Sequence, residues 1–363
     1  TYTMISKISL AEYYNWTKLV LDEAQAIKNS CTKQTRTVKK IKSDFRIAMT
    51  GTPIENKLSD LWSLFDFLNK GLLGTSGEFK NFAKSLATDN RGYYKLKSIV
   101  SPFILRRLKT DKNIITDLPD KIEMKTYTEL SKKQIVLYED LVNELKVKLD
   151  SVEEGIEKKG LVLSSIMKFK QICNHVDQFL GQYNYKEMES GKFQRLREIC
   201  EIIYEKRERV LIFTQFKEII EPIAQFLEGI FKHKGLILHG STSIKKRKEI
   251  VESFQSDEYI PFLVLSIKAG GVGLNLTKAS HVIHFDRWWN PAVENQATDR
   301  AFRIGQKNNV VVHKFITKNS IEEKIDLMIS EKIKLSNDII PDVKENWITE
   351  LDNKKLIDLF SLS

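Results

Sequence analysis

Cysteine is scarce: the 363 residues hold three, Cys31, Cys173 and Cys200, 142 and 27 positions apart. An odd number with no CxxC pair, and no histidine at zinc-finger spacing, excludes a disulfide framework and a zinc finger. Reduced thiols in a cytosolic or nuclear compartment are expected. Cys173-Asn174-His175 invites a metal reading, but a buried helix residue beside a polar cap is the plainer one. No run of about 18 apolar residues occurs, so no membrane helix and no membrane partner are expected. Thr1 to Ile5 has neither a basic n-region nor an apolar h-region, which excludes a signal peptide. An initiating methionine is also missing, which implies a start within a longer protein. No GKS or GKT follows any glycine-rich stretch, so no P-loop lies in these residues. Internal repeats and low-complexity tracts are absent too.

What is present is ordinary for a folded protein of two domains: 42% hydrophobic and 29% charged residues. Lys and Arg (58) exceed Asp and Glu (48) by ten. Such an excess favours an anionic partner, nucleic acid being the common case; a lysine-rich genome would produce the same number.

Apolar spacing divides the chain. Lys18 to Leu21 and Phe45 to Met49 read as strands flanking a helix from Thr35 to Lys42, a βαβ pattern with parallel strands. Residues 58–180 repeat apolar positions every three or four, through Leu61, Leu64, Phe65 and Leu68, then Phe79, Phe82 and Leu86, then Leu130 to Leu149 and Leu161 to Cys173. They read as helical insertions and a connector, not a sheet. After Ser190 alternation returns. Strands are expected at 209–213, 235–238, 262–265, 281–285 and 310–315. Helices are expected at 193–205, 216–227, 244–254 and 291–303. Five strands with intervening helices make a nearly complete doubly wound domain, which binds ligands at the carboxyl ends of its strands.

The chemistry-bearing segments fall at such ends. Asp22-Glu23-Ala24-Gln25 closes the first strand: one acid can hold Mg²⁺ through its water shell, the next can orient an attacking water. Thr50-Gly51-Thr52-Pro53 closes the second, and two hydroxyls around a glycine suit a hydrogen-bond relay. A glycine-rich loop, Ala269 to Thr277, follows another strand; Gly271 and Gly273 let backbone N–H groups approach a phosphate. Arg300 and Arg303, three apart on the helix expected at 291–303, would share one face and could reach a phosphate as arginine fingers. Each feature alone also reads blandly, as solvated acids, a punctuated turn or a charged helix surface.

Together the segments resemble the Swi/Snf family of helicase superfamily two. DEAQ (22–25), TGTPIEN (50–56), LIFTQF (211–216), LHGST (238–242), the AGGVGLNLT loop, DRWWNP (286–291) and QATDRAFRIGQ (296–306) stand in family order. FILRRLKTD (103–111), LPDK (118–121) and KQICNH (170–175) match segments particular to the family. The resemblance runs from about residue 15 to 330. DEAQ replaces the commoner DEAH or DEGH, DRWW fits loosely, and motifs I and Ia, which would lie upstream, are absent.

The resemblance implies an α/β fold of two RecA-like lobes, each a parallel doubly wound sheet, the first incomplete, with helical insertions between them. Residues 1–57 would be the carboxyl-terminal part of lobe 1, 58–115 its helical protrusion, 116–190 a second helical protrusion and linker, 191–330 lobe 2, and 331–363 a helical tail or brace. ATP and Mg²⁺ are the implied cofactors, with ATP between the lobes and double-stranded DNA across both. Asp22 is assigned to Mg²⁺ through water, Glu23 to the attacking water, Gln25 to the γ-phosphate, and Arg300 and Arg303 to the fingers, with Gln296 positioning them. Thr52, Thr214, Ser241, Arg247 and Thr277 are assigned to the DNA backbone. Trp288 would lie near the strand, a core role for it or Trp289 being the alternative. A DNA-bound protein complex, such as a nucleosome, an RNA polymerase or a recombinase filament, would be displaced. The 363 residues alone are expected to be inactive. Two other functions fit less well: a non-catalytic DNA scaffold, against which the acid pair and both arginines speak, and a strand-separating helicase, against which the inserted segments speak. Small inserts lean toward a bacterial, archaeal or viral source. Location would be cytoplasmic and nucleoid-associated in a prokaryote, nuclear in a eukaryote.

Overall fold

The computed structural model describes residues 2–5, 7–8, 13–51, 58–85, 91–105, 107, 109, 118–152, 155–270, 273–336 and 352–362, without the side chains of 91, 93 and 331–336. Two compact units divide the chain, one built on residues 1–106 and the other on 107–329 with the carboxyl-terminal helix.

In the first unit β1 (Asn15–Leu21) and β2 (Lys42–Ala48) pair in parallel, from Asn15 opposite Lys42 to Leu21 opposite Ala48. The connecting helix α1 (Lys33–Lys40) begins two residues earlier than the sequence suggests, because the Thr32 side chain accepts the Thr35 N–H as a cap. It ends two residues earlier as well, since Ile41 is already extended and β2 follows. The βαβ reading holds. One sheet face closes over Leu21, Ala24, Ile27, Val38, Leu64 and Phe67. Helices α2 (Leu58–Leu68), α3 (Ser76–Ser85) and α4 (Arg91–Val100) form a second small core around Leu61, Phe65, Phe79 and Leu96. Helix α2 serves both cores, because its apolar residues lie on two faces. Leu86, expected on α3, lies outside the described residues.

The second unit holds a six-stranded sheet of order β3-β8-β7-β4-β6-β5, every pair parallel. Its strands are β3 (Lys121–Thr128), β4 (Val210–Thr214), β5 (Leu236–Leu238), β6 (Phe262–Ser266), β7 (His281–His284) and β8 (Val310–Thr317). Period-two alternation sorts β4 into two cores. Val210 and Ile212 face a cluster with helices α8 (Gly191–Glu205) and α9 (Ile220–Phe231), which follow the helical pair described next. Leu211 and Phe213 face helices α10 (Ile244–Gln255) and α11 (Pro291–Thr298). Earlier in the chain, α5 (Lys132–Ser151), α6 (Ile156–Asn174) and the short α7 (Val176–Leu180) lead into α8. Leu141, Leu145 and Leu149, four apart on α5, pack with Phe169 of α6 and with Ile321 and Ile325 of α12 (Ile321–Ser336). Leu356 and Phe360 of α13 (Asn353–Phe360) complete that core. At Gly191 a Cβ would lie 1.8 Å from the carbonyl oxygen of Glu129, so only glycine lets α8 begin there.

Two expectations need correction. Residues 58–180 are not free of sheet: Lys121–Thr128 is the edge strand of the second unit, zipped to β8 from Lys121 opposite Val310 to Thr128 opposite Thr317. The helix expected at 291–303 stops at Thr298. There the bonding tightens: Arg300 N–H reaches Ala297, Ala301 reaches Thr298, and Arg303 reaches only Ala301.

Candidate functional site

In the first unit the acid pair leaves β1 in an uncommon conformation. Glu23 takes a left-handed backbone (φ 48°, ψ 52°), rare for a residue with a side chain and a mark of functional turns when the surroundings enforce it. The surroundings do: Met49 N–H bonds to Leu21 O (2.7 Å), Ala24 N–H to Met49 O (2.9 Å) and Glu23 N–H to Asp22 Oδ1 (2.9 Å). Asp22 and Glu23 are exposed. Thr50 Oγ1 donates to Gln25 Oε1 (2.9 Å), and Gln25 Nε2 donates to Glu23 Oε2 (2.5 Å). This relay joins the end of β2 to the second acid. Gln25, expected on a γ-phosphate, instead has its amide engaged at both ends. Tyr2 donates its hydroxyl to Asp22 O (2.6 Å), and burial, reinforced by Asp22 and Glu23, pushes its pKa to about 12. Asp22 keeps one carboxylate oxygen toward solvent chemistry, which fits a hydrated Mg²⁺. No group of three or more His, Cys, Asp or Glu that could hold a metal occurs among the described residues, so such an ion would depend on water and phosphate oxygens for the rest of its shell. Thr52 lies outside the described residues.

In the second unit the strand order reverses around β4, and the motif segments after β4, β5, β6 and β7 all leave the carboxyl end of the sheet. They do different work there. Thr214 is fully buried. Its hydroxyl donates to Asp286 Oδ2 (2.5 Å) and accepts from Phe216 N–H. Buried on these partners, it has no proton to offer a DNA phosphate, contrary to the expected backbone contact. Asp286 also accepts from Gln215 N–H; burial raises its carboxyl pKa, while Lys192 and Lys170 nearby oppose that rise. Ser241 is exposed, with Oγ 2.9 Å from His239 Nδ1. Arg247 spends its Nε on Thr242 O (2.9 Å) and Nη2 on Gly240 O (3.0 Å) and His239 O (3.3 Å). Only Nη1 is left for a phosphate.

The glycine-rich loop and the arginine turn form one piece. Leu276 N–H bonds to Arg300 O (2.9 Å), and Gln306 Nε2 bridges Ala279 O (2.8 Å) and Ala301 O (3.1 Å). Gly273 is left-handed (φ 53°), a backbone that glycine adopts without strain; Gly271 lies outside the described residues. Thr277 is half-buried and accepts from Gln255 Nε2 (3.2 Å). Because α11 ends at Thr298, Arg300 and Arg303 do not share a helix face: Arg300 is buried and Arg303 exposed. Gln296 is half-buried on α11. Lys109 holds the turn from outside, paired with Asp299 (2.8 Å) and donating to Phe302 O (3.3 Å). Trp289 is the core tryptophan; Trp288 is half-buried beside Lys268.

Sequence reasoning missed a buried ionic network behind these loops. Lys192 and Glu322, both without exposed surface, pair at 2.7 Å, and Lys192 also donates to Asn174 Oδ1 (2.9 Å). Lys170 donates to Arg287 O (2.7 Å), and Arg287 pairs with Glu294 (2.9 Å) and Asp326. Glu294 in turn accepts from Trp288 N–H (2.7 Å). Burial works against the charge of Glu294, but Arg287 outweighs it and holds the carboxyl below its usual range. The network ties KQICNH to DRWWNP. Its signal was the placing of Lys170 and Lys192 inside apolar helix faces, where a solvated lysine has no reason to be.

Parallel sheets with acid and hydroxyl turns at their carboxyl ends, a glycine-rich loop after β6 and an arginine turn between α11 and β8 mark a helicase-type α/β protein. A family model of the SNF2-related domain matches residues 1–178, and one of the helicase conserved C-terminal domain matches 191–305. The SWI2/SNF2 ATPase core of Sulfolobus solfataricus, solved in complex with double-stranded DNA, is 45% identical; the match covers all of this chain and 76% of that one, at a TM-score of 0.61. YwqA of Bacillus subtilis, provisionally named an ATP-dependent helicase/translocase, is 46% identical over 353 residues, 96% of this chain and 38% of its own length. The yeast DNA repair and recombination protein RAD26 is 34% identical over 96% of this chain and 33% of its own length. The chain belongs to the Swi/Snf (SNF2) family of helicase superfamily two, and its sheets are RecA-like. It spans less than two fifths of the length of these curated relatives.

Proposed function

We propose that this chain is part of a DNA-dependent ATPase that moves along double-stranded DNA and displaces bound protein. The carrying observation is the Thr50–Gln25–Glu23 relay. It wires the acid suited to orient a water onto the turn after β2, so that a change at that turn can reposition the acid. Asp22 would hold Mg²⁺ through water, and ATP would be bound with the help of a phosphate-binding loop, which the 363 residues do not contain. Arg300 and Arg303 would offset the charge developing on the γ-phosphoryl group. The DNA path would use Ser241, Thr277, Thr52 and the basic surface of α10, positioning phosphates without reading sequence. The likeness to a core solved on double-stranded DNA supports this substrate. The domain roles expected from the family, lobes with helical protrusions and a tail, belong to the same proposal, as do the displaced nucleoprotein and a location wherever DNA is kept.

The test joins the chain to a family phosphate-binding segment and measures ATP hydrolysis with duplex and single-stranded DNA, together with displacement of a triplex-forming strand. Duplex-stimulated hydrolysis with triplex displacement is expected. Unwinding of a plain forked duplex would point to a strand-separating helicase, and DNA binding without hydrolysis to a scaffold.

A further inference from the structure

The turn after β5 is held in an unusual way. Its carbonyls at His239, Gly240 and Thr242 all accept from one guanidinium, that of Arg247 on the first turns of α10. The Nε hydrogen and both Nη2 hydrogens are thereby used. Thr242 closes the turn on itself, its N–H to His239 O (3.0 Å) and its hydroxyl accepting from His239 N–H (3.2 Å). The N–H groups of Gly240 and Ser241 have no acceptor among the described residues. Exposed Lys245, Lys246 and Lys248 follow directly.

From this we infer that Arg247 is a positioning residue for a DNA phosphate at the His239–Thr242 turn, and not itself a phosphate ligand; the inference rests on the DNA-binding function proposed above. Three carbonyl oxygens presented to an approaching phosphate would repel it. Drawn onto one cation they are neutralised, and the two successive amides of Gly240 and Ser241 remain for the anion, the arrangement by which backbone turns hold phosphates. The planar fork is what reaches three acceptors at once; a lysine ammonium at the end of a flexible stem does not fix them together.

Binding of a mixed-sequence duplex to the 363-residue chain across a salt series separates the roles. Arg247→Lys and Arg247→Ala are both expected to weaken binding about tenfold, with little change in melting temperature. The slope of log affinity against log salt should stay the same in both, because the phosphate charge is neutralised elsewhere. If the lysine variant binds like the parent while the alanine variant flattens the slope by about 0.9, Arg247 touches the phosphate and the assignment is overturned. Unchanged affinity in both variants overturns it equally. Should a variant fail to fold, hydrogen exchange on the unsubstituted chain decides: duplex DNA must slow exchange at Gly240 and Ser241 N–H, and unchanged rates there refute the role. A parent chain that binds no duplex at all brings down the DNA reading together with this one, whereas the other outcomes overturn Arg247 alone.

Discussion

His284 ends β7 with no exposed surface, its Nε2 2.9 Å from the Thr298 hydroxyl. Burial holds its pKa at about 4, and the chief opposing influence is the Glu294 carboxylate; His313, on the neighbouring strand, is likewise held at about 4 by burial. A histidine whose folded pKa lies below the unfolded value near 6.5 stabilises the fold fully above pH 6.5 and loses that contribution as pH falls toward 4. For His284 the loss is about 3 kcal/mol. Melting temperature is therefore expected to fall between pH 6.5 and 4.5, before most carboxylates protonate. His284→Gln, which keeps a polar group near Thr298, should flatten that dependence; an equally steep profile would place the acid sensitivity elsewhere. The Lys192–Glu322 pair makes a different demand. Lys192→Met leaves Glu322 buried without its cation and is expected to cost about 3–5 kcal/mol in denaturant unfolding, whereas adding Glu322→Leu should recover part of it. A double variant no better than the single would show that Asn174, the other partner of Lys192, dominates.

At the scale of elements, the sequence made the second sheet readable from β8 across to its β5 edge, and only the β3 edge unreadable. Strands β4, β6 and β7 are short apolar runs that only a buried parallel strand explains, and each ends within two residues of expectation. Strand β3 was missed because three of its eight residues are charged: Lys121 and Glu123 pair with each other and Glu123 with Lys314 across the strand boundary. Alternation of Ile122 and Met124 with those charges, just after Pro119, was its only local signal, and its partner lies nearly 190 residues away. Helix α11 was overextended for the opposite reason. Residues 299–303 have helical apolar spacing, but Leu276 N–H and Gln306 Nε2 take the Arg300 and Ala301 carbonyls that a continuing helix would need. The break separates the two arginines and makes their effects separable. In a hydrolysis-competent form of the protein, Arg303→Ala is expected to reduce DNA-stimulated turnover by about 10³-fold or more while the exposed position leaves melting temperature unchanged. Arg303→Lys should be nearly as poor, because the planar fork is lost. Turnover within a fewfold of the parent would leave Arg303 a solvated surface residue. Lys109→Ala, which frees the turn from outside, should lower turnover more mildly with ATP affinity unchanged, since an exposed ion pair contributes little to folding.

Across the whole chain the motif order was legible because several motifs, at 22–25, 50–56, 211–216, 238–242 and 286–291, fall at or just after a strand's carboxyl end, where sequence and ligand chemistry coincide. What single residues do there was less so: Thr214 and Arg247 read as phosphate contacts by type, yet one hydroxyl is buried on Asp286 and one guanidinium is turned onto carbonyls. Neither fate has a signature in the sequence, because both depend on partners brought together by the sheet. The excess of ten positive charges remains a property of the whole. Under the proposed function it is expected to give weak duplex binding without sequence preference even where no ATP is hydrolysed. A protein neutralising Z phosphates loses affinity with a log–log salt slope of about −0.9Z. Contacts confined to the turns at one end of the second sheet would correspond to roughly three or four phosphates, hence a slope of about −3. Fluorescence anisotropy with two duplexes of unrelated sequence should give that slope and equal affinities. A slope near zero would mean that the charge serves solubility and not DNA, and a strong preference between duplexes would mean that base edges are read.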